Sequence, residues 1–169
     1  MAAVLAMEVV TPEQTLLAGA ASAVVLRTSD GSLTVLAGHA PFVGDVLAGE
    51  VKVEQPDGSV VRLAVHGGFV QVETSAEAAA GVEGVGDGPI SGLSTRVTVL
   101  AGVAEIVDMI DVPRAETART LALARLDQLK AASGREDASG AADVEISQLE
   151  AAISRADVRL RLTAAGSGN

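Results

Sequence analysis

The stretch IDVPRAETAR, residues 110–119, lies where the chain changes from strand-like to helical sequence. Asp111 precedes a tract rich in alanine and arginine, and its carboxylate can accept hydrogen bonds from the free N–H groups at the start of a helix. Pro113 falls in the first turn of that helix, where no intrahelical hydrogen bond is lost. The stretch therefore predicts both a helix start and two domains, residues 1–103 and 104–169.

The sequence after this point predicts two helices, at about residues 111–132 and 142–163. Apolar residues on the first helix recur at three-to-four spacing: Ala115, Ala118, Ala122, Leu126 and Leu129. Apolar residues on the second follow a heptad: Ile146, Leu149, Ile153, Ala156 and Leu160. The linker SGREDASG, residues 133–140, breaks the helical run with two glycines. The pattern predicts an antiparallel hairpin that buries one seam and needs a docking surface to be stable.

The sequence before residue 110 predicts strands. Val-rich runs that alternate between apolar and polar residues are separated by turn signals such as SDG, AGHAP and PDG. The predicted strands are 24–28, 32–38, 51–54, 59–65, 69–73 and 96–100. Short strands at this spacing are typical of an antiparallel sandwich or barrel. Residues 74–95 are rich in glycine and lack a period, which predicts a long loop that is disordered or variable.

Composition argues against several classes of function. The chain has 169 residues, no cysteine and two separated histidines, so neither a disulfide nor a metal site is predicted. Residues 1–110 carry 4 Lys/Arg against 13 Asp/Glu, and a surface this acidic is a poor ligand for nucleic acid. No phosphate-binding glycine loop, nucleophile elbow or convincing pair of carboxylates occurs. The isolated chain is therefore predicted to be no catalyst, and no catalytic residues are assigned.

The same residues bear on location. The apolar runs are far shorter than the roughly 20 residues that span a bilayer, so no direct insertion is expected. The first residues lack the charged and apolar regions of a secretory signal. A soluble cytoplasmic protein is expected from the residues alone.

Five segments occur in an order that resembles a known family. They are VVTPEQTLLAG (9–19), DGSLTVLAGHAPFVGDVLAGEV (30–51), LAVHGGFVQV (63–72), VTVLAGVAE (97–105) and IDVPRAETAR (110–119). Together they resemble the epsilon subunit of bacterial F-type ATP synthase over nearly the whole chain, apart from residues 74–95. The resemblance implies a β-sandwich of about ten strands followed by a two-helix C-terminal domain.

The resemblance also implies a non-catalytic rotor subunit that joins the gamma subunit to the membrane ring of c subunits. It places the rotor contacts at one end of the sandwich, and these residues are Asp30, Gly31, Ser32, His39, Ala40, Pro41 and Phe42. Family members often carry glutamate where this chain has Ser32, so the resemblance does not carry a charged ring contact over to this position and leaves room for a polar one. The expected location is the cytoplasmic face of the bacterial cell membrane, as a peripheral part of the complex.

The resemblance gives the helical hairpin a regulatory role. When the hairpin folds against the sandwich it permits ATP hydrolysis. When it extends along gamma toward the catalytic alpha/beta head it inhibits hydrolysis. The marginal hairpin predicted from the single apolar seam is consistent with such a two-state element.

In some bacterial epsilon subunits, ATP binds the folded hairpin through an I/L-D-x-x-R-A motif. The matching positions are Glu105, Ile110, Asp111, Arg114, Ala115, Arg155 and Arg159. The spacing of Arg155 and Arg159 puts both on one helical face, where they can meet a triphosphate. Leu121 stands where the ATP-binding members carry arginine. The resemblance thus implies no required cofactor and ATP as a regulatory ligand.

Other interpretations of the same residues remain open at the level of sequence. Asp111 can serve only as a helix cap, and Arg114 can pair with Glu105 or Asp108. A freestanding β-domain that senses a small ligand or nucleotide would account for the motif at the helix start. An adaptor that binds another helix through its hairpin would account for the heptad seam.

Overall fold

The computed structural model describes residues 3–83, 85, 92–132 and 140–166. The chain divides into two compact units, Met1–Val107 and Asp108–Asn169. The first unit is made of strands and the second of helices, as the change of character at residues 110–119 predicts. Each unit is described by itself.

Ten strands occur in the described part of the first unit. They are β1 (Leu5–Val10), β2 (Thr15–Ala21), β3 (Ala23–Thr28), β4 (Gly31–Val35), β5 (Phe42–Val46), β6 (Gly49–Glu54), β7 (Val60–Val65), β8 (Gly68–Ser75), β9 (Ser94–Ala101) and β10 (Ala104–Ile106). Sheet A has the order β2-β1-β9-β8-β5, and sheet B has the order β10-β7-β6-β3-β4. Every pair is antiparallel except β1 with β9, which run parallel. The predicted fold class, a mainly antiparallel β-sandwich followed by two helices, is confirmed.

The core of the sandwich is aliphatic. Its fully buried side chains come from both sheets and include Leu5, Val9, Val24, Val35, Leu63, Val65, Val70, Val97 and Val99. Each such side chain stabilises the fold by about 1.5–3 kcal/mol when it leaves water. Of the two phenylalanines, Phe42 is half-buried and packs against this core, whereas Phe69 is exposed.

The sandwich extends beyond the predicted boundary at residue 103. Strand β10 follows that boundary and pairs with β7, with Ala104 opposite Val65 and Ile106 opposite Leu63. Pairing with the sheet, which sequence periodicity cannot show in a three-residue strand, therefore carries the first unit to Val107.

The loop predicted at residues 74–95 is shorter in the structure than in the prediction. Strand β8 continues to Ser75 and β9 begins at Ser94, so both ends of the interval belong to the sheet. The first part of the loop is tied down as well, since Ala78 and Ala79 are buried and Arg96 donates to the carbonyl oxygens of Ala78 and Ala80. Residues 84 and 86–91, on which the rest of that prediction falls, lie outside the described residues.

The second unit contains two helices, α1 (Val112–Ala132) and α2 (Gly140–Gly166). Ion pairs join Arg119 to Asp157 and Arg125 to Glu145, so the helices run antiparallel. The interior is shallow, and its buried side chains are Ala115, Ala122, Leu126, Ala156, Val158 and Leu162. The other four members of the predicted heptad on α2 are only half-buried. Among the described residues, no helix is both long and apolar enough to cross a bilayer.

Candidate functional site

The hairpin turn between β3 and β4 carries the first group of predicted contact residues. Asp30 and Ser32 are exposed, and Gly31 has a φ of 127°, a conformation that residues with a Cβ rarely adopt. The hydroxyl of Thr28 donates to the carbonyl oxygen of Gly31 at 3.3 Å. We call residues 29–32 the Asp30 turn.

A side chain from the opposite sheet fixes the Asp30 turn. Asp45 of β5 accepts the hydroxyl of Ser29 at 2.7 Å, and its two carboxylate oxygens lie 3.3 and 3.2 Å from the Ser29 amide nitrogen, which donates to them. These hydrogen bonds lower the pKa of Asp45, because they favour the charged carboxylate. The amide of Leu47 also donates to the carbonyl oxygen of Arg27 at 2.9 Å. The turn of sheet B is thus held against the edge of sheet A.

The second group lies in the loop of residues 38–41, the GHAP loop. Its backbone is anchored to the β8–β9 end of sheet A, since Gly38 N–H donates to the Thr95 hydroxyl at 2.8 Å and the Thr74 hydroxyl donates to the His39 carbonyl oxygen at 2.7 Å. His39 is half-buried, with Nδ1 at 2.7 Å from the carbonyl oxygen of Ala40. Ala40 and Pro41 are exposed, and they complete a rigid surface loop.

The structure separates the two groups. The Asp30 turn precedes β4 and the GHAP loop follows it, so a five-residue strand of about 15 Å lies between them. Strand β5 then returns from Phe42, beside the GHAP loop, to Asp45, beside the turn. The expectation that both groups lie at one end of the sandwich is therefore corrected, because the strand that joins them runs along its length.

An exposed apolar patch lies at the same end of sheet A as the Asp30 turn. Phe69 is 62% exposed and Leu100 47% exposed, although both belong to strands. The ladder places them side by side, with Asp45 opposite Phe69, Phe69 opposite Leu100, and Leu100 opposite Val10. A pocket of about 340 Å³ continues the surface and is lined by Val10, Thr11, Pro12, Leu100, Ala101 and Gly102. We call Val10, Pro12, Phe69 and Leu100 the apolar patch.

Glycine at position 68 makes this arrangement possible. A Cβ there would lie 2.1 Å from the carbonyl oxygen of Leu100, and the φ of 152° is one that other residues rarely adopt. Gly68 thus lets β8 approach β9 and brings Phe69 next to Leu100. The patch was not predicted from the sequence. The alternation in FVQVE nevertheless indicates it, since Phe69 falls on the same strand face as the polar residues Gln71 and Glu73 and is therefore exposed.

The predicted helix start is confirmed in the second unit. Asp111 Oδ1 accepts the amide of Arg114 at 3.0 Å, and the Asp111 carbonyl oxygen accepts the amide of Ala115 at 3.0 Å. Ala115 is buried in the hairpin, whereas the side chain of Arg114 is exposed. Asp111 therefore caps α1, as its carboxylate and position predict.

The hairpin brings part of the predicted nucleotide motif to one end. Arg119 of α1 bonds Asp157 of α2 at 2.5 Å, so the start of α1 lies beside the stretch of α2 that holds Arg155 and Arg159. Both of these arginines are half-buried. Arg114 lies at the same end of the hairpin, and Ile110, half-buried, precedes the cap. Glu105 belongs to β10 in the first unit.

Leu121 and the acidic and histidine side chains bear on ligand binding. Leu121, at the position where the ATP-binding members carry arginine, is 66% exposed on α1. In the part of the chain that the structure describes, no group of three His, Asp or Glu side chains is placed to hold a metal ion.

Comparison with known proteins identifies the class of the sandwich. A family described as "ATP synthase, Delta/Epsilon chain, beta-sandwich domain" matches residues 4–76, which span β1 to β8. The first unit is a β-sandwich domain of this delta/epsilon class.

Whole-chain relatives narrow the assignment. An ATP synthase epsilon chain of Symbiobacterium thermophilum is 37% identical over 162 residues, 95% of this chain and 94% of that one. One from Streptomyces griseus is 36% identical over 137 residues, 81% of this chain and 93% of the relative. The chain belongs to the ATP synthase epsilon chain family. The predicted family and the prediction of a non-catalytic subunit are thereby confirmed.

A solved structure supports the fold across both units. A chain of the mitochondrial ATP synthase of Euglena gracilis, in an OSCP/F1/c-ring assembly, matches with a TM-score of 0.59 and 21% identity. The match covers 92% of this chain and 79% of that one. Family membership leaves no need for the freestanding sensor or the adaptor, because it accounts for the ordered segments that neither alternative explains.

Proposed function

We propose that this chain is the central-stalk subunit that couples gamma to the c-ring, on the cytoplasmic face of the bacterial cell membrane. The observation that carries the proposal is the coincidence of the Asp30 turn and the apolar patch at one end of the sandwich. Polar groups held rigidly beside exposed large apolar side chains are typical of protein interfaces. Similarity to ATP synthase epsilon chains over most of the sequence supports the same partners.

The two parts of this surface suit different partners. The apolar patch offers exposed aromatic and aliphatic side chains, which fit a protein face such as that of gamma. The Asp30 turn presents Asp30, the Gly31 backbone and the Ser32 hydroxyl, which fit the polar loops of a ring. The GHAP loop lies at the far end of β4 and would be a second contact for a partner that extends along the sandwich.

Reconstitution tests this proposal. The purified chain is mixed with gamma and with c-rings in detergent, separately and together, and each mixture is resolved by size. Stoichiometric co-elution with gamma, and with the ring when gamma is present, is the expected result. Failure to elute with either partner at micromolar concentration would contradict the proposed role.

For the second unit we propose a hairpin that changes between a permissive folded form and an inhibitory form extended toward the alpha/beta head. The support is energetic. Three of the six buried side chains in the described part of the hairpin are alanine, and the three ion pairs between its described residues involve side chains that are 41–55% exposed. Exposed ion pairs contribute at most about 1 kcal/mol each, so the packed hairpin is a shallow energy minimum.

Deletion of the hairpin tests the switch. A chain that ends after residue 110 keeps every strand of the sandwich and its proposed partner surface. ATP synthase assembled with this variant is expected to hydrolyse ATP faster than the enzyme with the full chain. Equal rates with equal incorporation of the two chains would contradict the switch.

We also propose that ATP is a regulatory ligand of the folded hairpin. Arg114, Arg155 and Arg159 lie at the same end of the hairpin, and guanidinium groups are strong ligands for phosphate. Because Leu121 supplies no cation, we expect affinity in the millimolar range.

Calorimetry with Mg-free ATP on the isolated chain decides this point. Replacement of both Arg155 and Arg159 by alanine should abolish the heat of binding. Arg125→Ala, which removes an arginine near the opposite end of the hairpin, should preserve it. Absence of heat for the unmodified chain at millimolar ATP would retire the nucleotide site.

A further inference from the structure

We propose that Asp45 is a positioning residue that holds the Asp30 turn in the geometry its partner binds. The inference rests on the proposed function, because it assumes that the turn is a contact surface. Asp45 itself does not need to touch the partner, since both of its carboxylate oxygens accept hydrogen bonds from Ser29. Its role would be to act through the turn.

The position of Asp45 in the fold supports this role. Ser29 follows β3 in sheet B, while Asp45 lies on β5, the edge strand of sheet A. The hydrogen bonds join residues sixteen positions apart in the sequence and connect the two sheets. In the ladder, Asp45 also lies opposite Phe69 of the apolar patch. The Asp45 side chain therefore holds the turn, and the strand that carries it pairs with the strand that carries Phe69.

A second aspartate in the chain shows what a purely local role looks like. Asp57 accepts the hydroxyl of Ser59 at 2.7 Å and its amide at 2.9 Å, the same chemistry over two residues of sequence. Those bonds lie within the β6–β7 turn and join two residues of the same hairpin. Asp57 is thus a matched control for Asp45, with an equivalent carboxylate, equivalent donors and a different place in the fold.

Loss of the Asp45 carboxylate should free the turn without unfolding the core. The core side chains lie between the sheets, and Asp45 is not among them. A turn that samples several conformations must be ordered when the partner binds, which weakens affinity. Hydrogen bonds to a charged group are strong enough for their loss to weaken binding by about tenfold.

The experiment compares full-length variants in binding to immobilised complexes of gamma with the c-ring. Asp45→Ala should weaken binding about tenfold, and Asp45→Asn, which keeps an acceptor oxygen, should recover most of that loss. Ser29→Ala combined with Asp45→Ala should be no worse than Asp45→Ala alone, because both remove one interaction. Asp57→Ala should leave affinity unchanged.

A second readout does not depend on any partner. Hydrogen exchange of the free chain should become faster at the amides of residues 29–32 in Asp45→Ala and remain unchanged there in Asp57→Ala. Unchanged exchange in Asp45→Ala, or equal losses of affinity in the Asp45 and Asp57 variants, would overturn the inference.

Ser32→Arg separates this inference from the proposed function. The substitution places a bulky cation at the last residue of the turn and leaves Asp45 and Ser29 intact. If Ser32→Arg weakens binding and Asp45→Ala does not, the turn is a contact and Asp45 has no positioning role. If neither variant affects binding, the turn is not a contact, and both the inference and that part of the proposed function fail.

Discussion

At the scale of single residues, Phe69 carries the strongest indication of a partner. It is one of two aromatic residues in the chain, and it lies on the outer face of sheet A with more than half of its surface exposed. Phe69→Ser should weaken binding to gamma by tenfold or more, because it removes the largest and most exposed apolar side chain of the patch, and aromatic side chains often dominate the binding energy of an interface. Titration of gamma with labelled chain measures the effect.

Val60→Ser is the matched control for this substitution. Val60 is 50% exposed, belongs to β7 of sheet B, and lies in the other sheet from the patch. The Val60→Ser variant should bind gamma with the affinity of the unmodified chain. The free energy of unfolding of each variant should lie within about 0.5 kcal/mol of that of the unmodified chain. Similar losses of affinity for the two variants would show that Phe69 marks no specific surface.

Asp45 and Asp57 also make a prediction about pH. Hydrogen bonds from Ser29 and from Ser59 lower the pKa values of these carboxylates below 3.8 in the folded chain. The stabilisation is therefore fully present above the unfolded pKa and is lost as the pH falls through the lower folded pKa. Between pH 5 and pH 3, the free energy of unfolding should fall less steeply in the double variant Asp45→Asn, Asp57→Asn. Equal slopes in urea titrations would contradict this assignment.

Among the structural elements, the helical hairpin is stabilised by few buried side chains. Among the leucines of α1, Leu126 is buried, whereas Leu121 is 66% exposed. Leu126→Ala should destabilise the hairpin by about 2–3 kcal/mol through lost burial and a cavity. Far-UV circular dichroism during urea unfolding follows the helices.

Leu121→Ala supplies the control in the same helix with the same chemistry. It should change the midpoint of helix unfolding little, because its side chain is already in water. If both variants shift the midpoint equally, the described seam is not what stabilises the hairpin.

The elements differ in how far the sequence predicts them. Strands β6 and β8 alternate cleanly, because every second residue is buried or half-buried and lies between more exposed ones, and this periodicity predicts them. Strand β1 does not, because Leu5, Ala6 and Met7 are all buried, so neither face is marked as polar. Strand β2 is rich in alanine and glycine, which have low strand propensity, and its pairing with β1 holds it in the sheet. Family resemblance supplied these strands where local pattern could not.

The candidate site shows the same limit. The helix cap at Asp111 was predictable because its bonds reach only three or four residues along the chain. The bond between Asp45 and Ser29 joins two sheets, and nothing in either local sequence indicates it. The separation of the GHAP loop from the Asp30 turn likewise depends on how β4 and β5 cross the sandwich, which only the assembled sheets determine.

In the whole molecule, the two units would have different tasks under the proposed function. The sandwich is a rigid body with a deep aliphatic core, and it presents the Asp30 turn and the apolar patch together. The hairpin has a shallow interior and exposed ion pairs, so its packing can respond to ligands or partners. A rigid coupling element and a responsive regulatory element are what the proposed function requires.

Footprinting of the chain inside assembled ATP synthase tests the central claim most directly. Hydroxyl-radical labelling, compared between the free chain and the complex, reports the solvent exposure of each side chain. The account predicts strong protection of Phe69 and Leu100, and no protection of Val60 on the other sheet. Labelling of Phe69 and Leu100 that stays unchanged on assembly would contradict the claim that this end of the sandwich binds gamma or the c-ring.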